Sequence, residues 1–151
     1  MEALNLQINE EIIYQANVYF SEEEKSEKEY ELYLTNFNLI FYKKTKKLFS
    51  EPKIELIKMP FERFNLVDGE PLYSVFQNDD YFGIRTIYER KIIEISFYND
   101  DEKNYYNECN ILGRLLSSEI SRAKNKSKTC LKCGAQVEPG MSFCKDCGNK
   151  I

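Results

Sequence analysis

From residue 11 to residue 98 the apolar positions fall in short runs. Several have a period of two, the mark of half-buried β-strands. Ile12–Phe20 is apolar and aromatic and predicts a first strand. The stretch 21–29 that follows holds five Glu and two Lys, too much charge to bury. Tyr30, Leu32 and Leu34 alternate with Glu31, Tyr33 and Thr35, and Phe37–Tyr42 follows directly, so these two runs predict a hairpin. A basic loop with Lys43, Lys44, Lys46 and Lys47 leads through Pro52 to a strand over Ile54–Met59. Pro60 ends that strand, because proline brings no amide to a ladder. Further strands are expected over Phe61–Val67, over Leu72–Phe76 continuing through Asp79-Asp80 into Tyr81–Ile87, and over Lys91–Phe97.

The period then changes. Asn99 with Glu102 resembles a capping box. Tyr105, Cys109, Leu112, Leu116 and Ile120 recur at steps of four, three, four and four, a helical stripe. The helix is expected to run to about Ala123 and to lay its single apolar face on the sheet. These elements predict an α+β domain over residues 1–123: a bent antiparallel sheet, or partly open barrel, of six to seven strands capped by one C-terminal helix. Residues 124–129 read as a polar linker and residues 130–151 as a second small module.

That module carries Cys130-Leu-Lys-Cys133 and Cys144-Lys-Asp-Cys147, each pair followed by glycine. The spacing is that of a tetrahedral four-cysteine zinc site. A segment this short cannot bury a useful core, so it needs a staple. A redox dithiol would sit at a helix start in a larger α/β domain, and a disulfide framework would belong to a secreted chain; structural zinc fits better than either. Four thiolates fill the tetrahedron and leave no place for water or substrate.

Composition narrows the function. The 151 residues include no histidine, which removes the commonest general base and every His-containing metal site. No residues are arranged for catalysis, and the chain is expected not to be an enzyme. Met1–Glu11 has three acids, no Lys or Arg and no long apolar run, so no signal peptide is read there. The expected location is the cytoplasm, with the inner face of the membrane as the peripheral alternative. Residues 1–120 hold 14 Lys and Arg against 23 Asp and Glu, a net of −9, whereas residues 121–151 hold seven against two. Cys109, on the helical stripe, reads as a small core residue, and most aromatics sit in the strand runs and read as core.

Tyr30-Glu-Leu-Tyr-Leu-Thr-Asn36 followed by Leu39-Ile-Phe41 resembles the hairpin of the GRAM-type, bacterial branch of the pleckstrin-homology-like superfold. The branch's glycine ahead of Leu32-Tyr33-Leu34 is missing. The tail from Cys130 to Ile151 resembles the zinc ribbon appended to many bacterial proteins. There, Val137 and Phe143 would cover the metal and Pro139-Gly140 would turn the hairpin. The resemblance implies a binding role. In phosphoinositide-binding members, basic residues of the first hairpin hold the phosphates, but here that loop is acidic and would repel them. The expected partner is therefore a protein, docked by the sheet domain and the ribbon. Lys43, Lys44, Lys46 and Lys47, followed by Leu48-Phe49, form the candidate contact for anionic lipid. Nucleic acid, through the basic linker and ribbon, is the least favoured ligand.

Overall fold

The computed structural model describes residues 4–23, 25–71, 73–98, 105–124, 128–137 and 141–150. Strands β1 (Ile12–Glu22), β2 (Lys28–Thr35), β3 (Asn38–Thr45) and β4 (Lys53–Pro60) form one antiparallel meander. A short hairpin of β5 (Leu66–Val67) and β6 (Glu70–Pro71) intervenes. Strands β7 (Ser74–Gln77), β8 (Tyr81–Tyr88) and β9 (Lys91–Tyr98) then make a second meander. Helix α1 (Tyr105–Lys124) follows, and β10 (Lys128–Thr129) and β11 (Gln136–Val137) belong to the C-terminal module.

The seven long strands make one sheet in the order β4-β3-β2-β1-β9-β8-β7. Strand β1 joins the two meanders. Its length from Tyr14 to Phe20 pairs with β2, whereas only its last four residues, Tyr19 to Glu22, pair with β9. One strand thus serves two partners over staggered stretches. A seven-stranded antiparallel sheet of this order, followed by a helix, is the pleckstrin-homology-like arrangement expected from the sequence.

Period-two burial builds the core. Leu32 and Leu34 of β2, Leu39 and Phe41 of β3, Ile84 of β8, and Ile93, Ile95 and Phe97 of β9 are buried in one cluster with Cys109, Leu112, Leu116 and Ile120 of α1. The helical stripe is therefore the core face of α1. Each fully buried aliphatic side chain contributes about 1.5–3 kcal/mol, so packing rather than intrinsic propensity holds the helix in place. Aromatic stacking joins the layers: Phe20 lies 4.2 Å from Phe41 and Phe97 5.6 Å from Tyr105, centroid to centroid. The Tyr14 hydroxyl donates to Glu108 Oε2 at 2.7 Å and ties β1 to the first turn of α1. A smaller cluster on other residues of β2 and β3 buries Tyr33 and Ile40 under Leu4 and Leu6.

The structure departs from the sequence reading at several places. Phe61–Val67 is not one strand: Phe61–Arg63 is a single 3-10 turn, Phe64 makes an isolated bridge to Tyr88, and Leu66–Val67 pairs with Glu70–Pro71. Phe61 and Phe64 are both buried, and that spacing of three suits a turn of three residues rather than a strand of period two. Lys43 and Lys44 belong to β3 rather than to the loop after it. Lys128 and Thr129, read as linker, pair with Val137 and Gln136. The capping-box pair Asn99 and Glu102, Leu72, and Pro139-Gly140 lie outside the described residues. Among those described, no helix is long and apolar enough to cross a membrane.

Candidate metal centre

Each Cys-x-x-Cys segment folds into the same tight turn. The Gly134 amide donates to the Cys130 carbonyl at 2.9 Å, and the Gly148 amide donates to that of Cys144 at 2.9 Å. The chain then doubles back, so that Cys130 N donates to Ala135 O and Cys144 N to Asn149 O, each at 2.8 Å. Both glycines have positive φ, +75° and +71°, the left-handed conformation that such a reversal needs and that a Cβ disfavours. Two short pairings frame the knuckles: Lys128–Thr129 on Gln136–Val137, and Phe143 opposite Lys150.

The two knuckles bring Cys130, Cys133, Cys144 and Cys147 together, with all four sulfurs within 4.8 Å of one another. Cys130 and Cys147 Sγ stand 3.7 Å apart, and Cys133 and Cys144 Sγ 3.6 Å. A tetrahedron of thiolates at a Zn–S distance of about 2.3 Å has sulfur–sulfur edges of about 3.8 Å. Donor type, number and spacing thus fit Zn²⁺. All five cysteines of the chain are free, so no disulfide competes for these sulfurs.

The backbone prepares the site for thiolate. The amides of Cys133 and Lys132 point at the Cys130 sulfur and hold its thiol down to about 6. Cys133 moves the other way, up to about 12. The Ala135 amide favours its thiolate, but the hydrogen bond to Cys144, burial, and the hydrogen bonds to Cys147 and Cys130 outweigh that amide. Without a cation to share, sulfurs this close cannot all be charged. A divalent ion removes the conflict.

Among the described residues, little else holds the module. Its apolar cluster is Cys130, Val137 and Cys144, with Ala135 and Met141 against it. Val137 covers the site as the resemblance implied. Phe143 does not: it is 58% exposed, and Met141 packs on the cysteines in its place. Leu131, inside the first knuckle, is fully exposed. The sequence reading missed this pair as surface features. The available signal was a leucine between two ligands, where a knuckle has no core to receive it.

The other singled-out residues lie elsewhere. Lys43 and Lys44 close β3, and Lys46 and Lys47 follow in the β3–β4 loop, with the Lys43 ammonium 5.8 Å from the Tyr30 ring centroid. Cys109 is wholly buried on the core face of α1, where burial and then the nearby Glu108 push its thiol up to about 12. That is a packing residue, not a nucleophile.

No family model matches the chain, and no curated protein matches it. Among solved structures, one concerned with the structural role of the PH and C1 domains of the Vav1 exchange factor is similar, with a TM-score of 0.46 and 11% identity, covering 91% of this chain and 38% of that one. A second, Vav1 inhibited by an allosteric inhibitor, gives 0.41 and 11% over the same shares. The chain therefore spans well under half the length of the solved chains it matches. Likeness this distant says nothing about what the protein does, and the fold class rests on strand order and the terminal helix.

Proposed function

We propose that this protein is a non-catalytic binding module whose pleckstrin-homology-like sheet domain carries a zinc ribbon that docks a protein partner. The observation that supports this most is the exposure of Leu131 and Phe143 on a module with almost no core of its own. Zinc would do the folding work there, so neither side chain is needed to hold the module and both are free for a partner. Lys132 follows Leu131 and Lys150 lies opposite Phe143, and these cations favour an acidic rim on the partner. The likeness of the Tyr30–Asn36 hairpin to GRAM-type proteins supports a binding role as well. The lack of histidine and the filled thiolate tetrahedron support the non-catalytic part.

The test is a native-lysate capture comparing the full chain with one ending at Lys124. Proteins recovered only by the full chain uphold the reading. An identical set from both would move recognition to the sheet domain.

A further inference from the structure

Three tyrosines gather on the face of the sheet that points away from α1. Tyr19 of β1 alternates with the buried Val18 and Phe20, and Tyr81 and Tyr98 neighbour Phe82 and Phe97, which pack in the main cluster. Tyr81 stands directly opposite Tyr98 in the β8–β9 register, and Tyr19 stands opposite Ser96, two residues along the strand from Tyr98. The ring centroids of Tyr19 and Tyr81 are 5.2 Å apart with planes at 66°, and those of Tyr81 and Tyr98 are 5.9 Å apart at 81°. None of the three packs into either sheet-domain cluster, and Tyr98 is 57% exposed.

The charge beside these rings is negative. Burial, then the Glu27 carboxylate, Tyr19, the Asp80 carboxylate and Tyr98 raise the Tyr81 phenol above its ordinary value. The lysines of the β1–β2 turn serve the other face: Lys25 and Lys28 line a cleft with Phe20, Tyr30 and Ile57, all of the main cluster. The tyrosine face also shows how it takes a cation. Phe76 of β7 lies over Gly83, where a Cβ would sit 2.5 Å from the ring, and the Arg85 guanidinium is 4.4 Å from the Phe76 ring centroid. Arg85 also pairs with Glu94 at 3.0 Å, so one ring and one carboxylate share a single arginine. Tyr19, Tyr81 and Tyr98 with Glu27 and Asp80 repeat those components, and no cation lies over their rings among the described residues.

We infer that this face binds an arginine side chain of a basic polypeptide partner, with the guanidinium against the rings of Tyr19, Tyr81 and Tyr98 and its N–H groups directed to the carboxylates of Glu27 and Asp80. A guanidinium meets both demands at once, because it stacks on aromatic faces and offers a planar fork of donors, whereas an ammonium is a compact, strongly hydrated point charge. The net of −9 on residues 1–120 draws a basic chain towards the domain. The inference uses no residue of the ribbon and stands independently of partner docking there.

The test labels the tyrosine rings of the full-length protein with carbon-13 and follows their resonances by NMR. A terminally blocked peptide of alternating glycine and arginine is titrated in, then its lysine counterpart, then tetramethylammonium. The expected result is a saturable, concerted shift of the Tyr19, Tyr81 and Tyr98 rings, with the arginine peptide binding more tightly than the other two. Tyr98→Leu changes no charge and alters an exposed side chain, so it should leave far-ultraviolet dichroism unchanged while weakening the arginine peptide by about two- to fivefold. Glu27→Gln should weaken it as well. Absence of a shift in these three rings would overturn the inference. Equal binding of the arginine and lysine peptides, or indifference to Tyr98→Leu, would overturn it in favour of plain charge attraction to the acidic turn. Tighter binding of tetramethylammonium would overturn it in favour of a small quaternary ammonium ligand.

Discussion

The ring of Tyr73 lies against α1 where a side chain at Gly113 would begin: a Cβ there would sit 2.6 Å from Tyr73 Cδ2. The only helical glycine in α1 is thus a seat for an aromatic ring from the segment leading into β7. Ordinarily Gly→Ala in a helix interior is stabilising by about 1 kcal/mol. Here Gly113→Ala should instead destabilise by about 1–3 kcal/mol through overpacking. In a Tyr73→Ala background the sign should reverse. Denaturant midpoints of the two single variants and the double variant check this; additivity would show that ring and helix do not share the space.

Glu10 is a buried carboxylate that closes the N-terminal segment onto the β2–β3 turn. Its Oε1 accepts from Thr35 Oγ1 at 2.7 Å and Asn38 Nδ2 at 2.8 Å, and its Oε2 accepts from the Gln7 amide at 2.9 Å. Burial alone would push its carboxyl up, but the Gln7 amide, Asn38, Thr35 and nearby Lys58 together hold it below the ordinary value. A carboxyl held low in the folded state adds stability above its unfolded value of about 4.3. That contribution is lost as pH falls through the lower, folded value. Glu10→Gln should cost about 1–3 kcal/mol near neutrality. The gap between the two proteins should close in melts recorded below about pH 4. A gap that stays constant down to acid pH would mean that the charge is unimportant.

The β8–β9 hairpin turns on Glu89 and Arg90, whose φ values are +48° and +67°. A two-residue turn with both centres left-handed is the type that favours Asn-Gly, and each bulky residue there is strained. Side-chain and backbone contacts compensate: Arg90 N donates to Asn65 Oδ1 at 2.6 Å, and Arg63 pairs with Glu89 at 3.2 Å. The ion pair is exposed and contributes under about 1 kcal/mol. Replacing Glu89-Arg90 by Asn-Gly should therefore raise the melting temperature by a few degrees. A lower melting temperature would assign the 3-10 turn's contacts more weight than the backbone strain.

The thiols should react in two classes. With zinc bound, no cysteine should react quickly with an aromatic disulfide reagent. A chelator should release one zinc per chain and expose four thiols (Cys130, Cys133, Cys144 and Cys147), while Cys109 should react only after denaturation, since it is buried and its thiol is pushed up to about 12. Cys130→Ser should abolish stoichiometric zinc and leave the main unfolding transition in place. Loss of the whole transition would show that the sheet domain depends on the metal.

Much of this was legible in the sequence, and where it was not the reasons are local. Strands β2 and β9 announced themselves because polar letters such as Glu31 and Glu94 alternate with buried ones, whereas β3 did so as a solid apolar run, since Leu39 and Phe41 face the main cluster and Ile40 the smaller one. The stripe from Tyr105 to Ile120 did so by the same logic at a helical period, and the cysteines by spacing alone. Phe61–Val67 failed because two buried phenylalanines three apart look like strand letters, while Asp68-Gly69, with φ of +52° and +81°, marks the hairpin that follows. The exposure of Phe143 was illegible because an aromatic beside a metal ligand reads as a lid; only the packing of Met141 on the cysteines shows otherwise.

The account centres on the ribbon as a docking element, and Leu131→Glu with Phe143→Glu tests it most directly. Both side chains are exposed, so the variant should keep one zinc per chain and the wild-type melt. Quantitative capture from native lysate should then lose the ribbon-dependent partners by at least about tenfold, the scale of removing apolar anchors from an interface. A variant that retains zinc and captures the same proteins in the same amounts would contradict the proposed function.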